Sequence, residues 1–352
     1  MSDKVILGHE RGEEIKKRVY KKASSELLAI LEQFGGSIVS KRFENVVLYC
    51  DIPRDIMFPL DIVEIFKDLS DDEETMNLDN IEKALYLDWC SKTVWFLCYA
   101  HVIFDDIVDN SKTRYGKPCW HRRSDVGLSA VFDGLLIDKS IHYLMNTKFN
   151  RDIIDAVLEK LFFLDAGQTL NDMLSKVHDL DSFNRASYEK MVYLQDSTII
   201  TLPMRLAMCL AGIEDQNAVN KMQIIIAKVE VLFQMMNDYQ DLFGDAELLG
   251  KEESDIQERK CSWFAVKCLE KTNPEQKELF KQNYGSEDPD RVTDVEALYS
   301  SLQMKEEFYK HKNDLCAIID TEIASIKDAK FRQALYSVYQ KSIGAKIEEA
   351  HF

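Results

Sequence analysis

Apolar residues in this chain recur three and four positions apart over long stretches, the period of a helix with one buried face. Residues 11–34 place Ile15, Val19, Leu27, Leu28 and Leu31 at that spacing, and Gly35-Gly36 follows as a helix stop. Residues 80–109 contain no Gly or Pro and are largely apolar over their last two-thirds, the signature of a helix buried on most sides. A loop is expected at 110–118, which carries Asn110, Ser111, Gly116 and Pro118, and helices at 127–147, 150–177, 184–212 and 218–243. Pro203 should kink the 184–212 segment. Polar, glycine-punctuated residues 244–260 read as a surface loop, followed by helices at 261–271, 275–283, 290–302 and 304–346. With no internal repeat, low-complexity tract or linker, the pattern predicts a single all-α domain over residues 1–352, with a variable stretch over about the first ten.

Composition narrows this reading. Gly (13) and Pro (6) are too sparse among 352 residues for a turn-dense β fold, and 46% hydrophobic content supports a sizeable core. Lys and Arg total 44 against 61 Asp and Glu, a net charge of −17, and no basic stripe is segregated, so nucleic acid is excluded as a partner. An anionic ligand such as a phosphate ester would need divalent cations and a few placed Lys or Arg to reverse the local sign. The eight cysteines form no CxxC pair and no zinc spacing, and read as reduced thiols. The first residues lack a continuous apolar run and carry Glu10, Glu13 and Glu14, and no window of about 18 apolar residues exists. Neither a leader nor a membrane span is expected, and the cytoplasm is the expected location.

Candidate chemistry lies in two acidic clusters. Asp105-Asp106-Ile107-Val108-Asp109 closes the most apolar helix, with Asp105 and Asp109 on one face. Like charges at a buried helix end are costly without a cation, and hard oxygen ligands favour Mg2+, which retains waters and bridges to phosphates. The plain alternative is an acidic helix end grading into a solvated loop. About 130 residues on, Asn237, Asp241 and Asp245 fall at i, i+4 and i+8 with Asp238 beside them, again after an apolar run. Two such clusters suggest two walls holding Mg2+ ions and, through them, a diphosphate.

Residues 104–120, FDDIVDNSKTRYGKPCW, together with 233–251, FQMMNDYQDLFGDAELLGK, and 254–263, SDIQERKCSW, closely resemble the two aspartate-rich regions of the farnesyl diphosphate synthase family. Gly167-Gln168-Thr169-Leu170, Leu202-Pro203 and Ala211-Gly212-Ile213 resemble its intervening signatures. The resemblance, over roughly residues 10–345, implies a helical bundle around a deep apolar cavity, a homodimer, and three Mg2+ ions holding a prenyl diphosphate substrate. It implies metal ligation by Asp105, Asp106, Asp109, Asn237, Asp238, Asp241 and Asp245. It further implies diphosphate binding by Arg114, Gln234, Lys251 and Lys260, with Asp105, Asp109, Arg114 and Lys251 carrying the ionisation step. Without it, Lys251 and Lys260 would read as solvated loop charges. Cavity walls are expected at Trp95, Phe96, Tyr99, Ala100, His101 and Phe104, where aromatic faces stabilise cations. Trp95 and Phe96 read equally as core, and His101 as a floor, a base or a packed ring.

The family's second, metal-free diphosphate site is basic, and here its motifs differ. Pro53-Arg54-Asp55-Ile56-Met57-Phe58 stands where a Gly-Gly-Lys-x-x-Arg motif falls, Tyr115 replaces a second Arg, Cys98 a Gln, and residues 347–352 a basic tail. These losses point to an insect-type terpene synthase derived from the family: farnesyl diphosphate is ionised and, with no acceptor, becomes a sesquiterpene hydrocarbon or alcohol, a volatile or pheromone precursor. The rival expectation is a chain-elongating synthase making geranyl or farnesyl diphosphate. A silent regulatory subunit is the third, disfavoured because it has no reason to keep buried carboxylates.

Overall fold

The structure is a computed structural model that describes residues 9–50, 60–70, 75–114, 116–176, 180–244 and 255–349. The described chain is helical apart from one two-stranded hairpin, short 3-10 turns and connecting loops, as the spacing predicts. Helix α1 (His9–Tyr49) is broken at Gly36, whose φ of 68° lies in the left-handed region glycine tolerates. The expected stop is therefore a break within one element, and helix resumes to Tyr49. Helix α2 (Ile62–Leu69), absent from the sequence expectation, begins where the Asp61 carboxylate accepts the N–H groups of Val63 and Glu64. Helix α3 (Leu78–Val108) begins at an Asn77 cap and runs to the first acidic cluster.

The expected loop after α3 contains a tight hairpin, β1 (Thr113–Arg114) against β2 (Lys117–Pro118). Helices α4 (Ala130–Asn146) and α5 (Arg151–Lys176) follow. The 184–212 segment is two helices, α6 (Arg185–Asp196) and α7 (Thr201–Leu210). The break falls at residues 197–200, so Pro203 sits in the first turn of α7, where its missing N–H costs nothing, instead of kinking a continuous helix. Helix α8 (Gln216–Phe243) carries the second acidic cluster. Helices α9 (Trp263–Lys271), α10 (Pro274–Asn283), α11 (Pro289–Ser301), α12 (Met304–Ala324) and α13 (Ala329–Glu349) complete the chain. Residues 325–328 divide the expected 304–346 helix in two.

The chain forms two compact units, one of residues 1–157 and 203–218, the other of 158–202 and 219–352. In the first, α4 packs against α3 and α1. Its inner face carries Ile137, Ile141, Leu144 and Met145, all at most 1% exposed, and each such side chain contributes about 2 kcal/mol of apolar burial. In the second, α9 packs against α6 and α12, and Trp263, Phe264, Phe308 and Tyr239 form an aromatic core beside the second acidic cluster. Among the described residues no helix is long and apolar enough to cross a membrane, and the described cysteines are free thiols.

Candidate active site

The last turn of α3 separates its carboxylates by burial. Asp106 is 3% exposed, Asp105 is half-buried and Asp109 is exposed. The hairpin folds the chain back across this helix end, and the Arg114 guanidinium donates to Asp106 Oδ1 through Nε at 3.0 Å and Nη2 at 2.6 Å. The same Nη2 lies 3.5 Å from Asp105 Oδ2. Cys119 adds a thiol hydrogen bond to Asp106, and burial together with that carboxylate pushes the thiol up to about 12. Asp106 is thus enclosed by protein donors, whereas Asp105 and Asp109, one turn apart, present their shared face outward.

The second cluster repeats the division. Asp238 is 2% exposed and accepts hydrogen bonds from Tyr188 Oη at 3.0 Å, Gln234 Nε2 at 2.7 Å and the Trp263 backbone N–H at 2.7 Å. The last places its carboxylate at the N-terminus of α9, where unpaired N–H groups favour an anion. Burial pushes the Asp238 carboxyl up to about 6, outweighing those donors. Asn237 and Asp241, one turn apart, are half-buried. Asn237 Nδ2 donates to Gln234 Oε1 at 3.3 Å, and Asp241 Oδ2 accepts the Asp255 N–H at 2.7 Å, anchoring the chain as it returns toward α9. Lys260 lies there with Nζ 3.7 Å from Glu258 Oε2, its backbone N–H bonded to the Asp255 carbonyl.

The structure therefore gathers Asp105, Asp106, Asp109 and Arg114 in one unit, and Gln234, Asn237, Asp238, Asp241 and Lys260 in the other. Asp245 and Lys251 lie outside the described residues, as do the side chains of Trp95, Phe96 and Tyr99. Ala100 is fully buried, and His101 meets Phe104 edge-on at 6.1 Å. Phe104 lies so close to α4 that a Cβ at Gly134 would stand 2.6 Å from its Cε1.

Among the described residues no three carboxylate, imidazole or thiolate groups cluster closely enough to form a metal cage. The donor set still fits Mg2+: this ion binds through one or two carboxylates, waters and substrate phosphates, and Asp105 with Asp109 offers such a pair. Sequence reading missed Tyr188, Trp263 and Cys119. Tyr188 stands 50 positions from Asp238, and no local pattern signals that pairing.

A family profile described as polyprenyl synthetase matches residues 57–302. The chain is 32% identical over 295 residues to a farnesyl pyrophosphate synthase of Mus musculus, covering 80% of this chain and 82% of that protein. It is 32% identical over 296 residues to farnesyl pyrophosphate synthase 1 of Cannabis sativa, covering 80% and 84%. A solved T. brucei farnesyl diphosphate synthase complexed with bisphosphonate shares the fold at a TM-score of 0.82 and 23% identity, over 95% of this chain and 99% of that one.

These relatives overturn the expected terpene synthase, a lyase making sesquiterpenes or pheromone precursors, because they are named as chain-elongating synthases. That expectation rested on cations missing at single sequence positions. A diphosphate is recognised by where positive charge lies in space, which an ungapped placement of 53–58 does not locate. Asp55, Phe58, Tyr115 and the side chains of Cys98 and 347–352 lie outside what the structure describes. By the profile match and by identity over four-fifths of its length, the chain belongs to the polyprenyl synthetase family.

Proposed function

We propose that this protein is a Mg2+-dependent chain-elongating prenyl diphosphate synthase that makes geranyl or farnesyl diphosphate from isopentenyl diphosphate and an allylic diphosphate. The observation that carries the reading is its 32% identity, across four-fifths of both chains, to a farnesyl pyrophosphate synthase. The reaction breaks the allylic C1–O bond, forms a C–C bond to the terminal alkene carbon of isopentenyl diphosphate, and releases a proton and pyrophosphate.

Asp105 and Asp109 on α3, with Asn237 and Asp241 on α8, supply the metal-facing oxygens of this reading, and Asp245 joins them. Asp106 and Asp238, already held by protein donors, fix the helix ends that carry those oxygens. These oxygens would hold the three Mg2+ ions that the family resemblance implies, whose charge would stabilise a departing pyrophosphate. Arg114, Lys251 and Lys260 add charge-assisted hydrogen bonds to its oxygens, and Gln234 orients Asn237 and Asp238. Ala100, His101 and Phe104, with Trp95, Phe96 and Tyr99, line the apolar path of the tail and exclude water.

The dimer of this reading covers an apolar face of the first unit, where Phe34, Ile38, Phe132 and Tyr143 are each at least half exposed. The free thiols fit the cytosol.

The test is incubation with isopentenyl and dimethylallyl diphosphates and Mg2+, followed by phosphatase treatment and mass spectrometry of the alcohols. Geraniol or farnesol, lost on adding EDTA, is expected. Absence of any elongated alcohol overturns the assignment.

A further inference from the structure

Asp133 on α4 is 6% exposed and accepts three side-chain hydrogen bonds. It accepts Arg42 Nε at 2.9 Å on Oδ1 and Arg42 Nη2 at 2.7 Å on Oδ2, and the same Oδ2 accepts Trp120 Nε1 at 2.8 Å. Trp120 is 4% exposed, and two cations lie against its ring, the Arg42 guanidinium 5.0 Å from its centroid and that of Arg123 at 5.1 Å. Tyr49 packs on it at 5.1 Å and donates its hydroxyl to the Pro118 carbonyl at 2.7 Å.

Trp120 immediately follows Cys119, whose thiol is bonded to Asp106 and whose N–H closes the hairpin onto the Lys112 carbonyl at 3.0 Å. Two adjacent residues therefore fasten the end of the same strap to two different partners. One reaches the acidic end of α3, and the other reaches Asp133. Between strap and helix lies the six-residue hairpin whose Arg114 grips Asp106. A two-rung hairpin this short does not hold its own position in water. Its placement must come from anchors at its base, and Asp133 supplies one of the two buried ones.

We propose that Asp133 is a positioning residue for the reaction: through the Trp120 indole it fixes the base of the 113–118 hairpin, and so the placement of Arg114 on Asp106. The inference rests on the diphosphate role given to Arg114 above, but its geometric half does not. A second carboxylate sets the geometry of the first.

Trp120→Phe keeps the ring and removes the N–H, and Asp133→Asn removes the charge that organises Arg42. Ligand-free melting temperatures separate folding from positioning, and Trp120→Phe keeps the test open if Asp133→Asn does not fold. The first readout is phenylglyoxal modification of Arg114 in ligand-free protein, followed by mass spectrometry of its peptide. A several-fold faster rate in Trp120→Phe is expected, and a rate equal to wild type overturns the proposal. The second is calorimetric binding of inorganic pyrophosphate with Mg2+ in a double-mutant cycle. Trp120→Phe should weaken binding about tenfold in the wild-type background and have no further effect on Arg114→Ala. Additive losses overturn action through Arg114. Failure of wild type both to bind pyrophosphate and to elongate would sink the functional reading, and the modification rate would still decide the clamp.

Discussion

A carboxylate one position along a helix from another points about 100° away, and that turn gives Asp105 and Asp106 different tasks. Asp106 faces inward onto Arg114, and Asp105 shares an outward face with Asp109. Under the proposed function, Asp105→Ala and Asp109→Ala should each lower elongation activity at least a hundredfold with little change in melting temperature, because each removes a half-buried or exposed oxygen assigned to Mg2+. Asp106→Ala should also destabilise the fold, since it removes the buried acceptor shared by the Arg114 guanidinium and the Cys119 thiol. Activity assays paired with thermal melts check both. Gly134 makes a different single-residue prediction. Alanine would gain helix propensity there but drive its Cβ to 2.6 Å from the Phe104 ring, so Gly134→Ala should lose about 1–3 kcal/mol in urea unfolding.

Packing between elements creates an unusual acid in the second unit. Glu230 on α8 is fully buried, and its Oε1 accepts a 2.6 Å hydrogen bond from Thr201 at the start of α7. Lys160 on α5, 2% exposed, sits 4.5 Å over the Phe163 ring, and its charge pulls Glu230 down, but burial prevails and pushes the carboxyl up to about 8. The folded chain then holds a proton that the unfolded carboxyl, near 4.5, has released. The stability linked to this proton is present below pH 4.5 and lost as pH rises toward 8. Relative to Glu230→Gln, wild type should lose about 1 kcal/mol per pH unit across that window in urea titrations, and parallel curves would refute a protonated Glu230.

The periodicity of α3 and α8 made both acidic helix ends legible in the sequence, because spacing along one helix fixes which residues share a face. The partners of those residues were not legible. Tyr188 and Trp263 reach Asp238, and Cys119 reaches Asp106, only after loops of unreadable geometry return the chain. The split between α6 and α7 was missed for a related reason: Pro203 was visible, but a proline fits the first turn of a new helix as well as the kink of an old one. Helix α2 was missed because it occupies only two turns, although Asp61-Ile62-Val63-Glu64 carries the spacing of a capping box.

At the scale of the whole molecule, the exposed apolar face of the first unit carries its own prediction. If the proposed dimer uses this face, Phe132→Asp should sediment as a monomer where wild type sediments as a dimer, with no fall in ligand-free melting temperature, and two identical sedimentation profiles would rule this face out. The buried thiols offer a second view of the same molecule. Cys90 and Cys119 lie in the first compact unit, Cys261 and Cys268 in the second, and all four are buried. Burial pushes Cys119, Cys261 and Cys268 up to about 12, and Cys90 well above its ordinary value, so their thiolate populations are negligible at neutral pH. Alkylating reagents need the thiolate, so each becomes reactive only when its surroundings open. The chain thus carries two native pairs of unfolding reporters with no engineered label. Read by mass spectrometry after pulsed alkylation along a urea series, the pairs should become reactive at one common midpoint if the single expected domain unfolds as one cooperative body, and two midpoints would mark the units as independent folders.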